Sequence, residues 1–291
     1  MIITVTCNPA IDQTVSKDKT VFDIGGKGIN VSKVLKKMGC ETLCTGLIGK
    51  QNSHIILNGL DELDIPHRFF EVEGKVRTNR KRVVNGELYE ENEAGPDVTE
   101  EELQKLMDYL GTFRKQIVVI SGSAPANTRD DLYRRMIELL KRNENRVILD
   151  CSGRKLQEGV KAFPDVIKPN RQEIGELFSV DLQEGEYLDA CFELNLPFIV
   201  ISLGKDGALF LKDKKAYRCP AIETQVVSPL GAGDSMVGAI AYALQEELDL
   251  KETIILTMAA AAASVASPGS SAPSLQDILS FKKDVIMEKI R

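Results

Sequence analysis

Short runs of apolar and β-branched residues recur along the chain at residues 2–6, 42–48, 117–121, 146–150, 166–167 and 198–202. Between most of them the apolar positions fall at helical spacing, over 31–38, 51–63, 100–110, 128–141 and 184–194. Strands alternating with helices of this length predict βαβ units and a mostly parallel sheet. Two helix starts carry capping signals. Thr99 followed by Glu102 is a capping box, and Thr128 with Asp131 is a weaker one.

Two regions break the alternation. Residues 68–88 read RFFEVEGKVRTNRKRVVNGEL, with turn signals at Gly74 and at Asn85-Gly86. That pattern predicts a β-meander forming a small sheet that protrudes from the main body. Residues 199–220 read strand, turn, strand, turn, strand, which suits antiparallel strands at the edge of a parallel sheet. Beyond residue 226 the pattern is mostly helical. With no internal repeat and no Pro-rich linker, the economical organisation is one α/β domain over 1–291. It carries a small β lid formed mainly by about 68–92, to which 11–22 could add.

Composition narrows the function classes. The 291 residues are 43% hydrophobic with a formal net charge of -6, and no basic block occurs. Nucleic acid is therefore not an expected partner. An acidic chain can still hold phosphates, but only locally, with backbone N–H groups and a few placed cations. None of the six Cys forms a CxxC pair, and several lie in apolar strands. Buried free thiols and a reducing, cytoplasmic setting are the expectation. The opening MIITVTCNPAID reads as a first strand rather than a signal peptide. The apolar run at 253–266 is too short to span a bilayer and is rich in small residues, so no membrane is expected. With only His54 and His67, a Ser-His-Asp enzyme or a His-rich metal site is not expected.

Four stretches could carry chemistry. In SPLGAGDSMVGAI, Gly231, Ala232 and Gly233 let the chain turn tightly ahead of a helix. Successive N–H groups and the helix N-terminus would make an anion site, with Asp234 beside it as a candidate base. The same pattern equally suits a plain helix start. In DIGGKGINVSKVL, Gly25 and Gly26 precede a helix with Lys27 and Asn30 in its first turns. This is neither a Walker A loop nor GxGxxG. It could hold a polar substrate or be a simple strand-to-helix turn. In IKPNRQE, Lys168 and Asn170 end a strand, where open α/β sheets place ligands. Glu173 follows in the first helical turn and suits a hydrated Mg²⁺, or a helix cap. In SLGKDG, Ser202, Gly204 and Gly207 follow a strand and could form only a hairpin.

Taken in order along the whole chain, these elements resemble the PfkB, ribokinase-like family of sugar kinases. VTCNPAID, GGKGIN, SGSAP, IKPNRQE and SPLGAGDSM are most similar to the branch of 1-phosphofructokinase and tagatose-6-phosphate kinase. The resemblance implies a ribokinase-like three-layer α/β/α sandwich with a β lid, and transfer from ATP with Mg²⁺ to a phosphorylated ketohexose, foremost fructose 1-phosphate. Carried over by position, Asp234 is the base and Gly231, Ala232 and Gly233 its anion hole. Asp12, Gly25, Gly26, Lys27 and Asn30 bind the sugar. Arg77 and Asn79 reach it from the lid. Lys168, Asn170, Ser202, Gly204 and Gly207 lie on the nucleotide side, and Glu173 holds Mg²⁺ through water. A homodimer through the lid is a further implication.

One departure bears on the lid. The resembling branch has a longer segment between NPAID and GGKG, supplying two lid strands and a phosphate-holding Arg. Here the ten residues QTVSKDKTVF look too short for a full hairpin, and that Arg has no counterpart. Arg80 and Arg82 lie on the opposite strand face from Arg77 and would meet a partner subunit or substitute for the missing Arg. Rival readings are tagatose 6-phosphate, fructose 6-phosphate or an unphosphorylated sugar or nucleoside as substrate, and a non-catalytic sugar-phosphate sensor. A nicotinamide-dependent enzyme is excluded by the lack of GxGxxG after the first strand.

Overall fold

A computed structural model describes residues 1–15, 20–84, 87–178, 184–228, 230–267 and 272–291; for 81–84, 87–90 and 184–187 it describes the backbone only. In chain order the first half comprises β1 (Ile2–Thr6), β2 (Ala10–Val15), β3 (Thr20–Gly25), α1 (Lys27–Lys37), β4 (Thr42–Gln51), α2 (Ser53–Glu62), β5 (His67–Lys75), β6 (Arg77–Val84), β7 (Glu87–Asn92), α3 (Glu100–Leu110), β8 (Ile117–Ser121) and α4 (Leu132–Arg142). The second half comprises β9 (Arg146–Asp150), α5 (Gly153–Gly159), β10 (Val166–Ile167), α6 (Arg171–Phe178), α7 (Glu184–Glu193), β11 (Phe198–Ser202), β12 (Ala208–Lys212), β13 (Lys215–Cys219), α8 (Ala232–Gln245), α9 (Leu250–Val265), α10 (Leu275–Phe281) and β14 (Glu288–Lys289).

The large sheet runs β14-β13-β12-β11-β10-β9-β8-β1-β4-β5. From β11 to β5 all neighbours are parallel, and β12, β13 and β14 add an antiparallel edge. Alternation along each strand fills both faces. Ile3, Val118 and Val147 join a core with α3 and α4, while Ile2, Val119 and Ile148 join a second core with α1, α8 and α9. This is the three-layer α/β/α sandwich expected. The small-residue run lies in α9, where Ala259, Ala260 and Ala263 are buried in the second core. Among the described residues no helix is long and apolar enough to cross a membrane. All six Cys are buried and free.

The capping box at Thr99 is present in both directions. The weaker one is not. The helix begins at Leu132, and Asp131 makes no side-chain cap bond. Thr128 Oγ1 instead donates to Pro125 O at 2.6 Å, and the Asp131 carboxylate is taken by Arg129 and Arg134. Local side-chain partners outcompete the cap.

The lid differs from the sequence expectation in two ways. First, β5 does not join it. β5 pairs in parallel with β4, so residues 67–75 extend the large sheet. Second, the segment before Gly25 does make two lid strands. β2 and β3 pair antiparallel from Ala10↔Gly25 to Val15↔Thr20. No longer insert is needed because the strands reach back to Ala10 and forward to Gly25, residues that also belong to the flanking motifs; the connection at 16–19 lies outside the described residues. The lid is thus four-stranded, β3-β2-β6-β7, with β2 and β6 parallel. Its connection at Asn85-Gly86 lies outside the described residues. A third cluster, including Ile11, Ile24, Ile48, Ile56 and Val76, binds the lid's base to α2 and β4.

Candidate active site

Parallel strands present their carboxyl ends to one crevice, and the candidate residues gather there. Gly231 caps α8 at φ 81, a left-handed conformation that favours glycine. Asp234 therefore falls in the first turn, where the helix dipole favours a carboxylate. Close approach of α1 and α8 sets its partner, since a Cβ on Gly238 would lie 2.7 Å from Val34 Cγ1. Across that contact Asn30 Nδ2 donates to Asp234 Oδ2 at 2.8 Å. Burial, and then the negative charge of Asp150, push the Asp234 carboxyl up to about 6; the Asn30 bond and the Lys27 and Lys168 ammoniums partly offset this.

Asp150 closes β9 and is 1% exposed. Its Oδ1 receives Lys27 Nζ at 3.4 Å and Lys168 Nζ at 3.3 Å, while Ser121 Oγ donates to Oδ2 at 3.0 Å. Burial opposes its charge, but Lys168, Lys27 and Ser121 together hold its carboxyl below the ordinary range. In return Asp150 keeps Lys27 protonated well above an ordinary lysine. Lys168 also borders the 231–233 turn. Its Nζ lies 3.5 Å from where a Cβ on Gly233 would stand.

The lid supplies the opposite wall. Register places Asp12 beside Asn79, and Asn79 Nδ2 donates to Asp12 Oδ1 at 2.8 Å. A Cβ on Gly25 would come within 2.5 Å of Asp12 Oδ2, so a larger residue there would have to displace that carboxylate. Arg77 Nε donates to Asn8 O at 3.1 Å. A cavity of ≈ 200 Å³ lies between, lined by Lys27, Arg77, Thr6, Asn8, Ser123 and Ser152 among others. Asn8 Oδ1, Asn30 Oδ1 and Asn79 Oδ1 are buried near this crevice without a hydrogen-bond partner. Such groups are costly unless a ligand meets them, and sugar hydroxyls can donate to each.

On the other side, Asn170 and Glu173 cap α6 reciprocally. Asn170 N donates to Glu173 Oε2, and Glu173 N to Asn170 Oδ1, both at 2.8 Å. Asn170 also bridges to Ser202, so the ends of β10 and β11 lie side by side. Gly204 (φ 61) and Gly207 (φ 93) turn the chain from β11 into β12. The capping bond uses one Glu173 oxygen and leaves the other. Among the described residues no group of three or more His, Cys, Asp or Glu could hold a metal. The donor set fits an ion held by one carboxylate and by substrate phosphates, not an all-protein cage.

The residues singled out from sequence thus fall into three adjoining groups: Lys27, Asn30, Lys168 and the 231–234 turn; Asp12, Gly25, Gly26, Arg77 and Asn79; and Asn170, Glu173, Ser202, Gly204 and Gly207. Arg80 does not join them. It pairs with Glu93 at 3.3 Å and Glu91 at 3.9 Å on the lid, so it is no substitute for a phosphate-holding Arg. The Arg82 side chain lies outside the described residues. Sequence reasoning missed Asp150, Ser121, Thr6, Asn8, Ser123 and Ser152 as parts of the site. Asp150 did carry a signal, an acidic residue closing the apolar strand VIL at its carboxyl end.

Residues 1–277 match the pfkB family of carbohydrate kinases. The chain belongs to that family, and it is an ATP-dependent sugar kinase. It is similar to a possible 1-phosphofructokinase of Thermotoga maritima, with 25% identity over 100% of each chain and a TM-score of 0.92. It is also similar to phosphofructokinase-2 of Escherichia coli in complex with fructose-6-phosphate, with 25% identity over 97% of this chain and 98% of that one, and a TM-score of 0.89.

Proposed function

We propose that this kinase phosphorylates a ketohexose that already carries one phosphate, foremost fructose 1-phosphate at its 6-hydroxyl, giving fructose 1,6-bisphosphate in the cytoplasm. The observation that carries the reading is the cavity lined by Lys27 and Arg77 together with Asn8, whose Oδ1 is buried without a partner. The Arg77 guanidinium suits the phosphate the sugar brings, and the unpartnered acceptor suits a hydroxyl. Ionised Asp234 takes the proton of the free hydroxyl through Oδ1, the oxygen that Asn30 leaves open. The alcohol oxygen then bonds to the γ-phosphorus of ATP as the bond to ADP breaks. N–H groups of residues 231–233, with Lys168, face the charge passed along, so catalysis rests on placement and fixed charge. Asp12 and Asn79 orient sugar hydroxyls, Gly25 and Gly26 admit them closely, and the lid excludes water. Asn170, Ser202, Gly204 and Gly207 border the nucleotide. Glu173 would hold Mg²⁺ through water, and the ion would neutralise charge on the ATP phosphates.

Fructose 6-phosphate is the second reading, favoured by similarity to the Escherichia coli enzyme bound to that sugar. Both sugars give the same product, so initial rates separate them. A panel of fructose 1-phosphate, fructose 6-phosphate, tagatose 6-phosphate and free fructose should give the highest kcat/KM with fructose 1-phosphate. A preference for free fructose refutes the phosphate reading, and no ATP turnover with any sugar favours a sensor. We further propose a homodimer through the lid. Among the described residues the outer strand β3 pairs only with β2, and it carries exposed Val21 and Phe22.

A further inference from the structure

Asp150 has no sugar or nucleotide role of its own in this reading, yet it binds one lysine from each side of the crevice. One buried oxygen receives two ammoniums that arrive from different elements, Lys27 from the start of α1 and Lys168 from the end of β10. Its second oxygen is fixed by Ser121. A buried ion pair made for stability alone needs one cation, and an apolar pair would serve as well or better. Here two cations share one anion. The surplus positive charge stands beside the 231–233 turn and the Asp234 carboxylate.

We propose that Asp150 is a positioning residue for phosphoryl transfer, holding Lys27 and Lys168 on a single carboxylate so that both ammoniums border the path of the transferred group. The inference rests on Asp234 as the base. It accounts for why a chain of net negative charge keeps a buried carboxylate in a crevice that must receive ATP: the carboxylate gives the two lysines a common anchor.

A consequence separates this role from a structural one. Asp234 is faced by Lys27 and Asn30 from α1, by Asp150 from β9 and by Lys168 from beyond β10. Replacing Asp150 with Asn removes a like charge and frees two cations to turn toward Asp234. Both changes make Asp234 easier to ionise, so the acidic limb of the rate profile must move to lower pH.

The test compares full-length wild type, Asp150→Asn and Asp234→Asn with ATP and each fructose phosphate, from about pH 5 to about pH 9. For Asp150→Asn, kcat should fall about 100-fold, the size of effect seen when one fixed transition-state donor is lost. KM for sugar should change far less, and the acidic limb should move down in pH. Raising Mg²⁺ should not restore the rate. A folded Asp150→Asn with unchanged kcat and unchanged limb overturns the proposal. So does full rescue by Mg²⁺, which would make Asp150 a partner of the ion. If Asp234→Asn stays active, the base assignment fails instead. Should Asp150→Asn not fold, Ser121→Ala loosens the same carboxylate with no change of charge. It should lower kcat about 5- to 10-fold, the loss of roughly one hydrogen bond; no loss overturns the proposal.

Discussion

Asp234→Asn should give a protein that is more stable than wild type and almost inactive. The carboxyl sits at about 6 against an ordinary value of 3.8, a difference of about two units. The folded chain therefore binds this proton more tightly than the unfolded chain does. As pH rises through the window from about 4 to about 6, the unfolded state releases the proton first, and the folded state loses stability. Above about pH 6 the whole penalty is present, up to about 3 kcal/mol at 1.36 kcal/mol per unit. An amide escapes it and can still accept the Asn30 hydrogen bond. With an unfolding entropy of about 2.1 cal/mol/K per residue, 2–3 kcal/mol raises Tm by roughly 3–5 °C in a chain of this length. Calorimetry at about pH 8 and again at about pH 4 reads both the gain and its disappearance. Turnover should fall by about 10²–10⁴-fold or more, the worth of a general base, while wild-type kcat/KM should decline below about pH 6. A variant no more stable than wild type at pH 8, with a gap that ignores pH, would refute the account of Asp234 as a carboxylate made costly by burial.

Other outcomes test the walls of the crevice. Arg77→Ala should lower kcat/KM for fructose phosphates by roughly 10- to 100-fold, the loss of a charged hydrogen bond, and leave free fructose nearly unchanged; equal losses on both sugars would remove Arg77 from phosphate recognition. Gly25→Ala would put a Cβ 2.5 Å from Asp12 Oδ2 and displace the carboxylate, so KM for sugar should rise with little change in KM for ATP, as steady-state titration of each substrate reads. Phe22, 62% exposed on the outer lid strand, should be replaceable by Asp without loss of fold, and light scattering should show a dimer of wild type converted to monomer; a wild-type monomer refutes lid pairing. Glu173→Ala should raise the Mg²⁺ concentration needed for half-maximal rate and cost about 1 kcal/mol through the lost cap of α6.

Legibility in the sequence followed how local the governing forces are. Strands 2–6, 117–121, 146–150 and 198–202 were readable to the residue because an apolar run in a parallel sheet is buried on both faces. Helix α3 was equally clear, its start set by the Thr99 box. Where side chains had competing partners, reading failed: Thr128 and Asp131 each found a neighbour nearer than the helix N–H groups. β5 was misassigned because its alternation looks the same in a lid or at the edge of a large sheet, and only its pairing with β4 decides. The β2–β3 hairpin was discounted by counting only the residues between two motifs, when the motifs themselves are part of the strands. At the site, Asp234 and Asn30 stood beside recognisable glycine-rich turns and Lys168 at a strand end. Asp150 looked like the ordinary end of a strand, since its weight comes from two lysines 123 positions before it and 18 positions after it in the chain.

The Asn30–Asp234 hydrogen bond joins positions 204 apart in sequence. Asp12 and Asn79 are joined across 67, and Lys27 and Asp150 across 123. Each of these contacts closes a long loop, and such contacts come late in folding because the chain entropy is lost before they form. A nascent chain that has not yet delivered α8 thus has a sugar wall and no base. During refolding, the return of turnover should lag behind the return of helical signal, making catalysis itself the report that the last segment has docked.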